Sequence, residues 1–284
     1  MSRFNSRKLR LVALEPGGAS IVDARLHGRQ LQVAEARRIE QSLDGGTWDT
    51  NPDLLPSLLT TDDFGHAELQ VVLSDHWVKY FIADIPAGIR SYAELDQVTG
   101  MQFEAFFGLD SGTWALQADW RPGKSRALAC AIPNALRAAL AKLGGGRSLV
   151  RSIQPFFIGE YNRIAPGLRH RDAWLAVLDR ERLTLAYQSG GVWQGIYSHP
   201  CRQSTSQTLA QILEQALQRD SLLLETPANP SSNIFVSGIQ VGTQMPGTAE
   251  VSGHRCHYLG SRNWPDQPLA WSDTFRMALA GYWP

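Results

Sequence analysis

Two short segments carry the residue types that phosphate and metal chemistry demand. Glu15-Pro-Gly-Gly-Ala-Ser20 lies between two apolar, strand-like runs, and Asp179-Arg-Glu-Arg-Leu-Thr184 follows about 160 residues later in a matching setting. Each reads as a tight turn at the head of a half-domain. An acid beside a glycine in such a hairpin suits a triphosphate, because backbone N–H groups come close to phosphate where no Cβ intervenes and a carboxylate holds hydrated Mg²⁺. The first segment keeps both features in Glu15 and Gly17, although Pro16 removes one backbone donor. The second keeps its acid, Asp179, but places Glu181 where the glycine would stand. A carboxylate about 5 Å from a γ-phosphate, at an effective dielectric near 20, costs roughly 3 kcal/mol per unit-charge pair. Arg180 and Arg182 offset that repulsion only by swinging inward, and a solvated charged turn between strands is the simpler reading. Weak or absent ATP and Mg²⁺ binding, without useful hydrolysis, is the expectation.

Other clusters are weaker. His254-Arg-Cys-His257 puts three potential ligands within four residues, yet a structural zinc wants two separated pairs, and a second pair exists only where His199 and Cys201 approach in space. Ser74-Asp75-His76 contains the three residue types of a hydrolase triad, but adjacent strand side chains point oppositely, so a turn is the better reading. No G-x-S-x-G, P-loop or G-x-G-x-x-G occurs. Trp48, Trp77, Trp193, Trp264, Trp271 and Trp283 sit near turns or ends and read mostly as satellite core, a few together being able to form a docking patch, whereas Trp114 and Trp174 read as more secure core. Asn263-Trp-Pro-Asp-Gln-Pro268 is the stretch expected to face a partner.

The elements that must position these residues follow from periodicity. Leu9–Leu14, Ala19–Ala24 and Gln30–Glu35 read as a three-strand meander. After a loop through Asp44 and a weak helix near Asp53–Thr60, Leu69–Leu73 reads as a buried strand, with Val78–Ile82 its companion across the Ser74–His76 turn. Ser91 caps a helix over residues 92–107, on which Phe103, Phe106 and Phe107 share helical spacing with Leu95. Strands over 114–120 and 126–131, a helix from Pro133 to Gly144, a strand over 148–153 and a short helix over 155–164 close the first half. The second half restarts with a meander at 173–178, 183–187 and 192–197, then an amphipathic helix through Leu209 and Leu217 capped by Ser204 or Ser206. Asn233–Gly238 is a strand ending in glycine, His257–Gly260 another, and Asp273 starts a final helix. The layout strand, strand, strand, helix, strand, helix thus occurs twice.

Composition sets outer limits. At 284 residues and 43% hydrophobic content the chain has material for two lobes, expected at residues 1–165 and 166–284. Lys plus Arg equals Asp plus Glu at 27 each, so no global field attracts nucleic acid or an anionic membrane. Three widely spaced cysteines, Cys130, Cys201 and Cys256, argue against a disulfide framework and suit a reducing compartment. No apolar run approaches the roughly 20 residues that span a bilayer, and none follows the basic N-terminus in the manner of a signal peptide. A cytoplasmic location is expected, peripheral to an inner membrane only through partners.

On these residues the chain resembles the actin-like ATPase superfamily, and within it the PilM family of type IV pilus assembly and the cytoplasmic part of type II secretion L proteins. The family's first hairpin, hydrophobic-D-I-G-S-S-S-V-K, is matched by Leu14-Glu-Pro-Gly-Gly-Ala-Ser-Ile-Val22, with Glu15 at the acid, Gly17 at the glycine and Val22 at the lysine-like position. The second hairpin keeps Asp179 and Thr184 without the glycine, and the adenosine loop's two glycines reduce to Gly238 in Ile234-Phe-Val-Ser-Gly-Ile239. Ser74-Asp-His-Trp-Val-Lys-Tyr80 looks like the corresponding segment of secretion L proteins. The resemblance implies a duplicated α/β fold, ribonuclease H-like, of two lobes with mixed sheets flanked by helices. It implies a degenerate nucleotide cleft facing Glu15, Gly17, Asp179 and Gly238, with no catalytic residues and no bound metal. It also implies a non-catalytic scaffold that grips the cytoplasmic tail of an inner-membrane pilus or secretion subunit. The competing readings are an active ATP-dependent kinase or ATPase of the same fold, and an unrelated small-molecule-binding α/β protein.

Overall fold

In the computed structural model, residues 7–28, 30–40, 67–120, 123–144, 149–168, 171–180, 182–201, 208–225, 227–239, 248–259 and 269–282 are described. The expected loop at Asp44, the helix near Asp53–Thr60, Glu181 and the Asn263–Pro268 segment lie outside them.

Strands β1 (Arg7–Glu15), β2 (Gly18–His27) and β3 (Gln30–Glu40) form the first meander. Strands β4 (Glu68–Leu73) and β8 (Leu149–Pro155) add to it in parallel, giving the order β3-β2-β1-β4-β8. The second meander comprises β9 (Ala173–Leu178), β10 (Arg182–Ser189) and β11 (Val192–Pro200). It is extended in parallel by β12 (Asn233–Gly238) and β14 (His254–Tyr258), with β13 (Thr248–Val251) on the edge, in the order β11-β10-β9-β12-β14-β13. The two sheets therefore repeat one plan: a hairpin-linked meander whose first strand is then joined by two parallel strands. β1 and β9 are central in both, and their apolar runs Leu11–Leu14 and Ala173–Leu178 are buried without alternation, since both faces are covered.

A third sheet, in the order β5-β7-β6, comprises β5 (Lys79–Asp84), β6 (Trp114–Ala118) and β7 (Arg126–Pro133). β5 was expected to pair with β4. It belongs to this sheet instead, because Asp75–Trp77 forms a 3-10 turn that turns the chain away, and β5 pairs with β7. Helix α1 (Tyr92–Phe107) covers the sheet, burying Leu95 and Phe103 against Phe81 and Ala129. Its start is set by Ser91, whose Oγ accepts from Glu94 N while Glu94 accepts from Arg90 N, and its end by Gly108 in the left-handed region.

Helices α2 (Asn134–Ala141), α3 (Phe156–Leu168), α4 (Leu209–Ser221) and α5 (Leu269–Ala280) complete the fold. α4 packs Leu213 and Leu217 onto Leu185, Trp174 and Ile234 of the second sheet. Its cap is Thr208, and neither Ser204 nor Ser206: the Thr208 side chain accepts from Gln211 N while the Gln211 side chain accepts from Thr208 N. Thr208→Ala should cost about 1 kcal/mol in urea unfolding, and an unchanged midpoint would show that the capping box contributes nothing. β13 was missed from the sequence, and β14 begins three residues earlier than the strand expected at His257. α5 begins at Leu269, before the expected Asp273, and α3 runs four residues past Ile164.

Two compact units result. The first comprises Met1–His76, Ala135–Glu160 and Ser261–Pro284; the second comprises Trp77–Asn134 and Tyr161–Gly260. The first sheet lies in the first unit, where α5 packs on β1, β2 and β4. The second and third sheets lie in the second unit, where β11 runs against β5 and β7.

Candidate functional site

Within the first unit, Glu15 pairs with Gly18 across a two-residue turn of Pro16 and Gly17. Gly17 has φ +80°, the value a type II turn requires after proline, and nothing lies within 4 Å of a Cβ built there. The glycine serves the turn and leaves the space above it open. Gly18 is more constrained, since a Cβ would come within 2.9 Å of the Ile39 carbonyl oxygen. The Glu15 carboxylate is fully buried, and the Arg38 guanidinium donates to it at 3.0 Å and also reaches Ser20 Oγ at 3.3 Å. The acid of the first hairpin thus carries its own counter-ion, supplied by the neighbouring strand pair β2–β3. Arg38 went unremarked in the sequence because an exposed-looking Arg-Arg-Ile-Glu end of a strand gives no sign of what it faces.

Within the second unit, Asp179 and Gly238 are brought together, because Gly238 pairs with Leu178, the residue before Asp179. Asp179 is buried, its side chain accepts from Arg180 N, and its own N–H donates to the Arg182 carbonyl at 2.8 Å to close the hairpin. Arg182 extends across the hairpin towards Ser198 Oγ, at 3.4 Å. Gly238 has φ +123°, and a Cβ there would stand 2.0 Å from the Leu178 carbonyl oxygen. That glycine is required by the approach of β12 to β9. Ile239 N then donates to the same Leu178 oxygen at 2.8 Å, and Arg163 holds the neighbouring Ser237 Oγ at 2.7 Å.

The remaining candidates are structural. Ser74 Oγ accepts from His76 N, and fully buried Asp75 accepts from Phe157 N at the start of α3, so the Ser-Asp-His run is a pair of turn and helix caps. His254 Nδ1 lies 3.0 Å from the Ser232 carbonyl, whereas His257 Nε2 lies 2.9 Å from Asn233 Oδ1 with its ring stacked on Phe235. Strand alternation places Cys256 and His257 on opposite faces, and burial pushes the Cys256 thiol up to about 11. His199 Nε2 contacts Asp220 Oδ2 at 2.7 Å. Among the described residues no three His, Cys, Asp or Glu side chains form a group able to hold a metal ion. Trp77, Trp174 and Trp193 are buried, whereas Trp114 is only partly so, which reverses part of the expected order. No helix among the described residues is long and apolar enough to cross a membrane.

One concave site was not foreseen. In the second unit a cleft of about 290 Å³ opens between β5, the end of α1, β11 and the chain after α4. Tyr80, Phe81, Phe106, Phe107, Ile196 and Leu223 provide its apolar wall. Arg126 stands at its edge with every side-chain nitrogen engaged: Nε donates to Asp84 at 3.0 Å, Nη1 to Gln194 at 3.1 Å and Nη2 to Glu225. The helical spacing of Phe103, Phe106 and Phe107 predicts the helix and not the exposure of each. Phe103 is fully buried, but Phe106 is 61% exposed at the mouth of this cleft.

The duplicated mixed sheets, each a meander joined by parallel strands, define an α/β protein with the actin-like ATPase fold, and solved structures match it. The chain is similar to a type IV pilus biogenesis complex of PilM and PilN (11% identity, 97% of this chain and 99% of the other, TM-score 0.66). It is also similar to the cytoplasmic domain of EpsL, an inner membrane component of the type II secretion system of Vibrio cholerae (14%, 97% and 96%, TM-score 0.52). A Bacteroides thetaiotaomicron protein with actin-like ATPase fold and unknown function matches at 12% identity over 87% of each chain, with TM-score 0.53. No protein-family model and no curated protein matches the sequence.

Proposed function

We propose that this chain is a non-catalytic cytoplasmic scaffold of a pilus or type II secretion-like assembly that binds the cytoplasmic tail of an inner-membrane partner. The observation that carries the reading is the pairing of fully buried Glu15 with the partly exposed Arg38. A carboxylate that is to hold hydrated Mg²⁺ must face solvent or phosphate, whereas this one is buried and one of its oxygens already accepts from Arg38. Gly238, the remnant of the adenosine loop, is committed to strand packing against Leu178. Glu15 in the first unit and Gly238 in the second are therefore each committed to structure, which suits degenerate nucleotide loops better than working ones, and Mg-ATP does not fit these residues.

Similarity to a PilM–PilN complex and to the cytoplasmic domain of an inner-membrane secretion component favours a partner of that kind. Calorimetry with Mg-ATP is expected to give no heat of binding in the micromolar range, and no thermal stabilisation that Glu15→Ala or Asp179→Ala abolishes. Purification of the tagged chain from detergent-solubilised membranes is expected to yield an integral inner-membrane protein, released when its cytoplasmic tail is deleted. Micromolar Mg-ATP affinity, or recovery of soluble enzymes alone, would overturn the reading.

A further inference from the structure

We infer that a second cleft, between α4 and the paired ends of β10 and β11, is a binding site for a small carboxylic acid with a short apolar chain. The site lies wholly in the second unit and stands on its own residues, whatever the chain's role as a scaffold. Its volume is about 370 Å³, enough for a small organic molecule. Leu183, Cys201, Ile212 and Ala216 form its apolar wall, and all but Ile212 are buried. Ile212, Ala216 and Arg219 reach it together because residues four and seven apart share one face of a helix. Leu183 and His199 do so because they face each other directly across β10 and β11.

The polar groups select an anion. Among the described residues, His199 and Arg219 are the bases that line the cleft and no carboxylate does. Arg219 has no ion-pair partner among those residues, so its planar fork is available to a carboxylate. His199 is held from behind, its Nε2 lying 2.7 Å from Oδ2 of Asp220. Asp220 is fully buried, and its Oδ1 has no hydrogen-bond partner among the described residues. A carboxylate only accepts, so Nε2 carries the proton and Nδ1, also without a partner among the described residues, is the nitrogen left for the cleft. Protonating Nδ1 gives Asp220 a full counter-ion and makes His199 a second donor beside Arg219. A carboxylate therefore binds with uptake of one proton from solvent onto Nδ1. The other titratable groups around the pair stay neutral, since burial pushes up both the Cys201 thiol and the Tyr197 phenol, the latter with help from Asp220. An apolar wall beside two donors suits an aliphatic acid, whereas inorganic phosphate would leave Leu183 and Ile212 uncovered.

The test titrates the full chain with hexanoate, hexanol, hexylamine and inorganic phosphate by isothermal calorimetry. Hexanoate should bind about tenfold more tightly than the other three, or better. Its affinity should fall as pH rises from about 5.5 to about 8, by at most about tenfold per unit, because the complex holds one proton more than the free protein. The heat of binding should also change with the ionisation enthalpy of the buffer, which reports that proton. Arg219→Gln, at an exposed position, should melt like the parent and weaken hexanoate about tenfold. His199→Gln should leave weak binding with neither the pH dependence nor the buffer-dependent heat. No measurable hexanoate binding, equal affinity for hexanol or hexylamine, phosphate bound as tightly as hexanoate, or a parent affinity indifferent to pH overturns the inference. So does an unchanged affinity in Arg219→Gln. A chain that captures a membrane partner yet binds no hexanoate loses this site and keeps the scaffold. One that binds hexanoate as expected and captures no membrane protein does the reverse.

Discussion

Gly238→Ala should destabilise the second unit by about 4 kcal/mol or more, the range that single substitutions reach only through steric overlap, buried charge or cavity formation. A Cβ at that position meets the Leu178 oxygen, nitrogen and carbon at 2.0, 2.6 and 2.7 Å. All three are backbone atoms of a central strand, so no side chain can turn aside to make room. The φ of +123° adds strain for any residue with a Cβ. The overlap is relieved only by parting β12 from β9, which breaks the parallel ladder from Asn233 to Gly238 and uncovers Ile234 and Val236. With native stabilities of about 5–15 kcal/mol, a loss of this size brings the unit close to unfolding at room temperature. Gly167→Ala is the matched control: it lies in α3, has nothing within 4 Å of a built Cβ, and should be neutral or slightly stabilising. A urea midpoint for Gly238→Ala within error of the parent would refute the packing role assigned to that glycine.

Asp23→Ala should cost about 3–5 kcal/mol, because it strands a buried guanidinium. Arg10 and Asp23 face each other directly across β1 and β2, joined at 2.6 Å through Nε and 2.9 Å through Nη2. Both are nearly inaccessible, with Arg37 of β3 a further 3.7 Å from the same carboxylate. Removing the acid leaves Arg10 without its bidentate partner where water cannot replace it. Replacing both together, Arg10→Met with Asp23→Leu, should restore most of the loss, since a buried pair often contributes little beyond an apolar pair of similar volume. Chemical unfolding of the single and double variants checks this, and a single variant that loses less than about 1 kcal/mol would show that the pair is solvated.

Both results turn on features that the sequence showed unevenly. Asn233–Gly238 was legible to the residue, because a short β-branched and aromatic run that stops at glycine has few other readings. Ser91 announced the start of α1 for an equally local reason, since the cap and the Glu94 N–H that it accepts from lie within one turn. The meanders at residues 7–40 and 173–200 were legible from tight turns between apolar runs. β5 was misassigned because which sheet a strand joins depends on a partner strand, β7, far along the chain, and the Asp75–Trp77 turn carries no sign of the direction it sends the chain. Phe106 looked like its neighbours Phe103 and Phe107, since spacing alone does not say where a helix overhangs the sheet beneath it.

The candidate site divides in the same way. Glu15, Gly17, Asp179 and Gly238 could be chosen from residue type and position, because turns and strand ends are built from neighbours. What occupies Glu15 could not be, since Arg38 arrives from β3 by way of a hairpin register. Local steric rules and short-range hydrogen bonds therefore determined the hairpins, the cap of α1 and the twofold repetition of the strand plan from the sequence itself. Tertiary structure alone decided which acid is paired, which glycine is packed against a neighbouring strand and which phenylalanine remains exposed. Ion pairing, backbone approach and burial are set by distances between residues far apart in the chain, and no spacing along the sequence encodes those distances.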